Sequence, residues 1–310
     1  LIWRIANGSV DLTTQRIGAA ELSDLVGRFV ETLRAGKTSN AGFTLARLLL
    51  PSDLTVQPDD VLAVVPDGPL HALPFSALPR GPESRPLMLD VVPLVTPSLT
   101  FLAEPGRPTL DSGEGVQLIA GYGGAIPDRR LPALPEVDRE IEELVRLMPR
   151  AVRLEGRDAT PSAVLGRMPE ATTIHLAGHA VADDVFPSQS RLFLAPEPGR
   201  TALRPDDVAA LRLRPHTVVV LSGCETARGR VYRGEGAMTL ARAFLTAGAG
   251  SVVATLWPVR DRDARELLTA FHAQRAPSAR ALAIAQREWI ARHPGQSGWA
   301  AFTVIGAAGR

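Results

Sequence analysis

The chain has 310 residues, 45% of them hydrophobic, enough to bury the core of one large domain or two modest ones. With 34 Lys and Arg against 33 Asp and Glu, its formal charge of +1 gives no basis for a nucleic-acid or membrane partner. The single cysteine excludes an internal disulfide and suits a reducing, cytoplasmic compartment, and no apolar run approaches the roughly 18 residues of a membrane span.

The start, LIWRIANGSV, has no basic region before its apolar residues, so no signal peptide is expected, and the missing initiator Met suggests a piece of a longer polypeptide. Residues 1–17 read as two extended segments around an Asn7-Gly8 turn. Glu21 to Arg34 carries Leu22, Leu25, Val26, Phe29, Val30 and Leu33 at helical spacing, and AGFTLARLLL reads as a second helix stopped by Pro51. VLAVVP is a short buried strand, DGPLHALPFSAL an extended, Pro-punctuated piece, and LDVVPLVTPSLTFL continues in that style. Ala103 to Gly115, rich in Gly, Pro and acid, is the linker candidate. After it, strands and helices alternate: VQLIAGY, a helix over Pro135 to Met148, AVRLEG, a helix over Thr160 to Met168, TTIHLAGH, the extended RLFLAP, and HTVVVLSGC. A helix over Glu235 to Ala247, SVVATLW, two helices near 261–274 and 278–292, and a closing strand in GWAAFTVIG complete the chain. Thr160 is placed to cap its helix, with Pro161 at the first helical position. Solid apolar strands alternating with helices predict an α/β fold with a mostly parallel sheet, covered by helices on both faces.

Functional groups in such sheets collect beyond the carboxyl ends of strands. TTIHLAGH ends at His179 and HTVVVLSGC at Cys224. If these strands are parallel neighbours, the imidazole can take the thiol proton and the thiolate can attack a carbonyl. His precedes Cys by 45 residues, which is the caspase order and close to its spacing of roughly 50. The plainer alternatives are a buried apolar Cys and a hydrogen-bonded turn His. His175 lies four residues before His179, a metal-pair spacing on a helix. The flanking residues read as strand, however, and no third ligand stands at a suggestive distance, so no metal and no cofactor is expected. His175 is read as a core or supporting histidine, and Glu225 as a supporting residue beside the nucleophile. His71, His216, His272 and His293 show no partner pattern. Two Gly-rich stretches, IAGYGGA and GRVYRGEGAM, lack the helix start or the Lys-Ser/Thr that phosphate binding needs.

PDDVLAVVPDGPLHALPFSAL, VTPSLTFL, ATTIHLAGHA, VVVLSGCETARG, GEGAMTLARAFLTAGAGSVVATLWPVRD and GWAAFTVIG together resemble the CHAT domain, a relative of separases and caspases among cysteine peptidases. The blocks run from Asp59 to Gly306. The resemblance implies a caspase-like sheet and a His179–Cys224 dyad. It also implies an oxyanion hole from the backbone N–H groups of Ala180 and Cys224, and an S1 acid at Asp261. It further implies an N-terminal pseudo-protease-like lobe over residues 1–105, ahead of a catalytic domain over 106–310. Family members often carry a tetratricopeptide array upstream. The implied function is a cysteine endopeptidase acting on protein substrates in signalling or defence. The alternative is a catalytically silent adaptor that binds a regulatory partner. Two positions depart from the family pattern: Ala180 stands where Gly is usual after the His, and Gly223 where Ala is frequent before the Cys. Asp261 also reads as a helix-capping residue.

Overall fold

A computed structural model describes residues 1–6, 8–37, 40–51, 54–81, 83–103, 115–181, 183, 186–223 and 235–307. β1 (Ile2–Ala6) and β2 (Ser9–Thr13) form the expected antiparallel hairpin. Helices α1 (Ala19–Arg34) and α2 (Asn40–Leu49) follow, then β3 (Val61–Val64), a minor ribbon of β4 (Pro79–Arg80) and β5 (Arg85–Pro86), and β6 (Val92–Val95). The extended reading fails after β6: Leu99–Ala103 is a short helix, α3, its Phe101 N–H held by the Ser98 hydroxyl at 3.1 Å. The linker candidate falls almost wholly outside the described residues.

β7 (Val116–Tyr122), α4 (Pro135–Leu147), β8 (Val152–Glu155), α5 (Pro161–Arg167) and β9 (Ala171–Gly178) occur close to where the periodicity places them. Thr160 caps α5 as expected, its hydroxyl accepting the Ala163 N–H at 3.3 Å. β10 (Ala180–Val181), β11 (Arg191–Glu197) and β12 (Arg200–Leu203) form a separate antiparallel sheet, of which only β11 was legible as an extended stretch. The chain continues through α6 (Pro205–Ala209), β13 (Val218–Ser222), α7 (Glu235–Thr246), β14 (Ser251–Thr255), α8 (Asp261–His272), α9 (Ser278–Arg292) and β15 (Phe302–Gly306). Among the described residues no helix is long and apolar enough to cross a membrane.

The main sheet has eight strands in the order β3-β6-β15-β14-β13-β9-β7-β8. It is two parallel blocks rather than one. β8, β7, β9, β13 and β14 run one way. β15, β6 and β3 run the other, joined at the antiparallel β14–β15 seam. The chain explains the seam. One helix between strands returns the chain for a parallel neighbour, whereas two successive helices, α8 and α9, bring β15 back in the opposite direction. β3 and β6 therefore extend the sheet but point their carboxyl ends at the opposite rim from β9 and β13.

Strand alternation sorts the core. Val218, Val220 and Val253 face a cluster with Leu267, Leu268 and Phe271 of α8 and Trp289 of α9. Val219, Leu221 and Val252 face Leu240 and Phe244 of α7. Both faces are apolar and covered, as a parallel sheet requires. Ile119 and Ala177 pack on Val137, Ile141 and Leu144 of α4, on the α8 side of the sheet.

Candidate active site

The strand order reverses at β7: the chain goes outward to β8 and returns to β9 on the other side. Such reversals open a crevice beyond the carboxyl ends of the strands, where ligands bind. β9 and β13 are parallel neighbours, with Ala177 opposite Ser222. These two paired residues each stand two positions before a dyad candidate. Cys224, Glu225 and the loop to Gly234 lie outside the described residues.

His179 is fully buried. Gly178 before it has φ +154°, and a Cβ there would stand 3.0 Å from the Phe193 carbonyl oxygen, so the strand exit requires glycine. The His179 carbonyl accepts the Phe193 N–H at 2.8 Å. Its Nε2 lies 2.6 Å from the carbonyl oxygen of Pro132, in the loop after β7. A carbonyl can only accept, so Nε2 carries the proton, and in the neutral ring Nδ1 holds the lone pair. Nδ1 is buried and has no hydrogen-bond partner among the described residues. The loop that supplies Pro132 is itself braced: Ile126 and Leu131 are bridged, and the Leu134 N–H donates to Gly123 at 2.8 Å.

Ala180 and Gly223, the two departures from the family pattern, meet in space. A Cβ added to Gly223 would lie 2.6 Å from the Ala180 Cβ and 3.5 Å from the Ala180 nitrogen. The methyl missing from one strand end is thus present on the other. Ala180 does not adopt positive φ, so its side chain costs no backbone strain there. Gly223→Ala alone is expected to destabilise by about 1–3 kcal/mol through overpacking. Adding Ala180→Gly should recover most of that loss. Urea denaturation of the two single variants and the double variant measures the coupling, and additive losses would contradict it.

His175 does not turn toward His179. Its Nε2 is 3.2 Å from Glu140 Oε1 of α4, and its Nδ1 is 3.0 Å from His272 Nε2 of α8. Glu140, itself fully buried, accepts the Ser222 hydroxyl on Oε2 at 2.9 Å. One buried chain of polar groups thus ties the end of β13 and the middle of β9 to two helices. As a residue His272 is half-buried, but its ring is packed against Phe271 and His175, with centroids 5.2 and 5.0 Å away. Burial, and then the neighbouring His175, push its pKa well below the ordinary 6.5. Folded His272 therefore stays neutral where the unfolded chain takes up a proton. Stability is expected to hold above pH 6.5 and to fall below it, by up to about 1.4 kcal/mol per pH unit from this group. Denaturation midpoints at pH 7.5 and pH 5.5 for wild type and His272→Gln test this, and the variant should lose part of the acid sensitivity.

Asp261 opens α8, and its Oδ2 accepts the Glu136 N–H in the first turn of α4 at 3.2 Å. It therefore holds a helix N-terminus, though that of the neighbouring helix. Glu136 follows Pro132 by four residues, which brings Asp261 close to the loop that holds His179. Arg265, one turn further along α8, bridges Glu136 at 2.8 Å and Glu143, locking α4 against α8.

Pro132, Glu140, Ser222 and His272 were not singled out from the sequence. A backbone carbonyl leaves no residue signature, and the His175–His272 pairing spans 97 residues. Glu140 had a signal: it sits between Val137 and Ile141 on the buried stripe of α4.

A mostly parallel sheet with helices on both faces and a buried histidine beyond a central strand defines the caspase-like class of α/β folds. The chain belongs to the CHAT domain family, whose match spans residues 24–307. It is 27% identical to mouse tetratricopeptide repeat protein 28 and 25% identical to the human protein, over 79% of its own length. It spans 12% of the length of each of these relatives. Among solved structures it is similar to Saccharomyces cerevisiae separase in complex with securin, with a TM-score of 0.50 at 13% identity. That match covers 79% of this chain and 15% of the separase structure's chain. The Arg-specific cysteine proteinase gingipain R matches with a TM-score of 0.48 at 12% identity, over 93% of this chain and 74% of that one.

Proposed function

We propose that the protein is a cysteine endopeptidase that cleaves protein substrates through His179 and Cys224, in a cytoplasmic signalling or defence pathway. The tautomer of His179 carries this reading. With Nε2–H committed to Pro132, Nδ1 is the basic nitrogen, buried at the strand end beside β13. In the proposed reaction Nδ1 takes the Cys224 thiol proton while the sulfur bonds to the substrate carbonyl carbon. The N–H groups of Ala180 and Cys224 receive the oxyanion. Protonated Nδ1 then gives its proton to the amine as the C–N bond breaks, leaving a thioester. Water, deprotonated by Nδ1, attacks the thioester and releases the acid and the thiol. Glu225 would support the nucleophile, and residues 1–105 would serve as a scaffold without a nucleophile. A tetratricopeptide array, as the relatives' name suggests, would bring regulatory partners.

In this reading Asp261 receives a basic P1 side chain, and Arg fits a carboxylate in bidentate fashion. Fluorogenic peptides with Arg, Lys, Leu or Met at P1 test reading and pocket together on wild type, Cys224→Ala and Asp261→Asn. Arg should be preferred, and Asp261→Asn should lower kcat/KM for Arg by about tenfold or more with little change for Leu. Asn retains an acceptor for the Glu136 N–H, so the helix cap is preserved. Turnover that survives in Cys224→Ala would end the protease reading. Preference for Leu in wild type would end only the role of Asp261. No turnover together with an unreactive thiol would favour the adaptor.

A further inference from the structure

On the face of the small sheet that adjoins His179, Arg191 and Arg204 have no acid partner within 4 Å among the described residues, whereas Arg200 of β12 is paired with Asp207 at 3.3 Å. In the β11–β12 ladder Leu192 pairs with Leu203 and Phe193 with Ala202. Arg191 precedes Leu192 and Arg204 follows Leu203, just past the end of β12, and Arg204 is near enough for its charge to act on Arg191. Arg191 also pairs with Val181 of β10, two residues beyond His179. Val181, Phe193 and Ala202 form one apolar cluster with Ile126 and Leu131, so the loop that holds His179 also lies on this face. At the tip of that loop Arg129 and Arg130 are exposed, and Arg130 adopts φ +54°, the left-handed conformation that non-glycine residues avoid.

Arg191 gives one hydrogen bond to Gln189 at 3.2 Å, while its buried Nε has no partner among the described residues. None of Arg129, Arg130, Arg191 and Arg204 makes an ion pair within 4 Å among the described residues. Burial, and then the fields of Arg129 and Arg204, lower the pKa of Arg191, with Asp183 opposing in part. Asp183 is itself engaged, accepting the Phe186 N–H at 2.8 Å.

The geometry points to a docking site for an acidic polypeptide segment, formed by Arg129, Arg191 and Arg204 on the face beside His179. Guanidinium groups on a strand, just past the end of its neighbour and on a facing turn suit carboxylates spaced along an extended chain, which they can bind through charge-assisted hydrogen bonds. A polypeptide held there runs past the His179 strand end, so the assignment extends the protease reading to its substrates. Binding needs no turnover and is measured apart from it.

The test is fluorescence anisotropy on the Cys224→Ala protein at low salt. The probes are a short fluorescein-labelled peptide of alternating Glu and Ser and its Gln–Ser counterpart. The Glu peptide is expected to bind at least about tenfold more tightly and to weaken as salt rises. Arg191→Gln should remove most of that preference. Arg129→Gln, on an exposed turn, should weaken binding without affecting the melting curve, and Arg34→Gln on α1 should leave it unchanged. Equal affinity for the two peptides, no binding of either, or wild-type binding by both site variants would overturn the proposal. So would competition by a single-stranded oligonucleotide as effective as that by the Glu peptide itself. If Cys224→Ala binds while wild type shows no hydrolysis, the docking site stands and the protease reading falls.

Discussion

Replacing either His179 or Cys224 with Ala is expected to lower kcat for peptide hydrolysis by roughly 10⁴-fold or more, and the double variant should be scarcely worse than either single one. The non-additivity is the informative part. Once the base is gone the thiol is not activated, and once the thiol is gone the base has no proton to take. Among the described residues His179 is hydrogen-bonded through Nε2 and its backbone, so truncation leaves the Pro132 carbonyl and a small void at the strand end. Single-turnover kinetics with an active-site titrant, beside melting curves for each variant, separate lost chemistry from lost folding. Losses that multiply in the double variant would mean that the two residues do not act as a unit.

The largest stability effect is expected at Glu140. Glu140→Ala removes from a fully buried position the acceptor of the Ser222 hydroxyl and the carboxyl group 3.2 Å from His175 Nε2, leaving Ser222 unpaired and opening a cavity. Breaking a buried polar pair in this way costs about 3–5 kcal/mol, which in a chain of this size lowers Tm by roughly 10 °C. Glu140→Gln keeps the shape and an acceptor for Ser222, so it should cost less than half as much. Scanning calorimetry of the two variants decides. Equal losses would show that the carboxylate, rather than its hydrogen bonds and volume, holds the site. Because Ser222 ends β13, the Ala variant should also loosen the strand end that leads to Cys224, with faster hydrogen exchange at Leu221 and Ser222 than at Val218.

Most strands and helices of the second half were legible from their apolar runs or helical periodicity, whereas the five-residue α6 was not. β9 and β13 read as solid apolar runs, and His179 and Cys224 were conspicuous because such runs stop at them. What escaped depended on pairing between distant segments. β10 and β12 are short, and β12 begins with Arg200 and Thr201, so neither has an apolar pattern of its own; the pairing with β11 makes them strands. The Ala180–Gly223 exchange was visible as two departures from the family pattern, but only the 2.6 Å approach shows them to be one accommodation. The reversed direction of β15 was implicit in the two successive helices before it. Asp261 read equally well as a pocket acid and a helix cap, and its contact with α4 comes from a helix 125 residues away.

The β14–β15 seam also bears on how the protein is made. β15 sits between β6 and β14, so residues 92–95 and 251–255 cannot share a sheet until residues 302–306 have been synthesised. On the ribosome the early strands β3 and β6 must wait, with one edge of β6 unpaired, while more than 200 further residues emerge. Such an edge invites pairing with other chains. Closure by the most distant contacts makes the last folding step slow and all-or-none. A nascent chain stalled before Phe302 would carry His179 and Cys224 and yet have two half-sheets with no strand to join them.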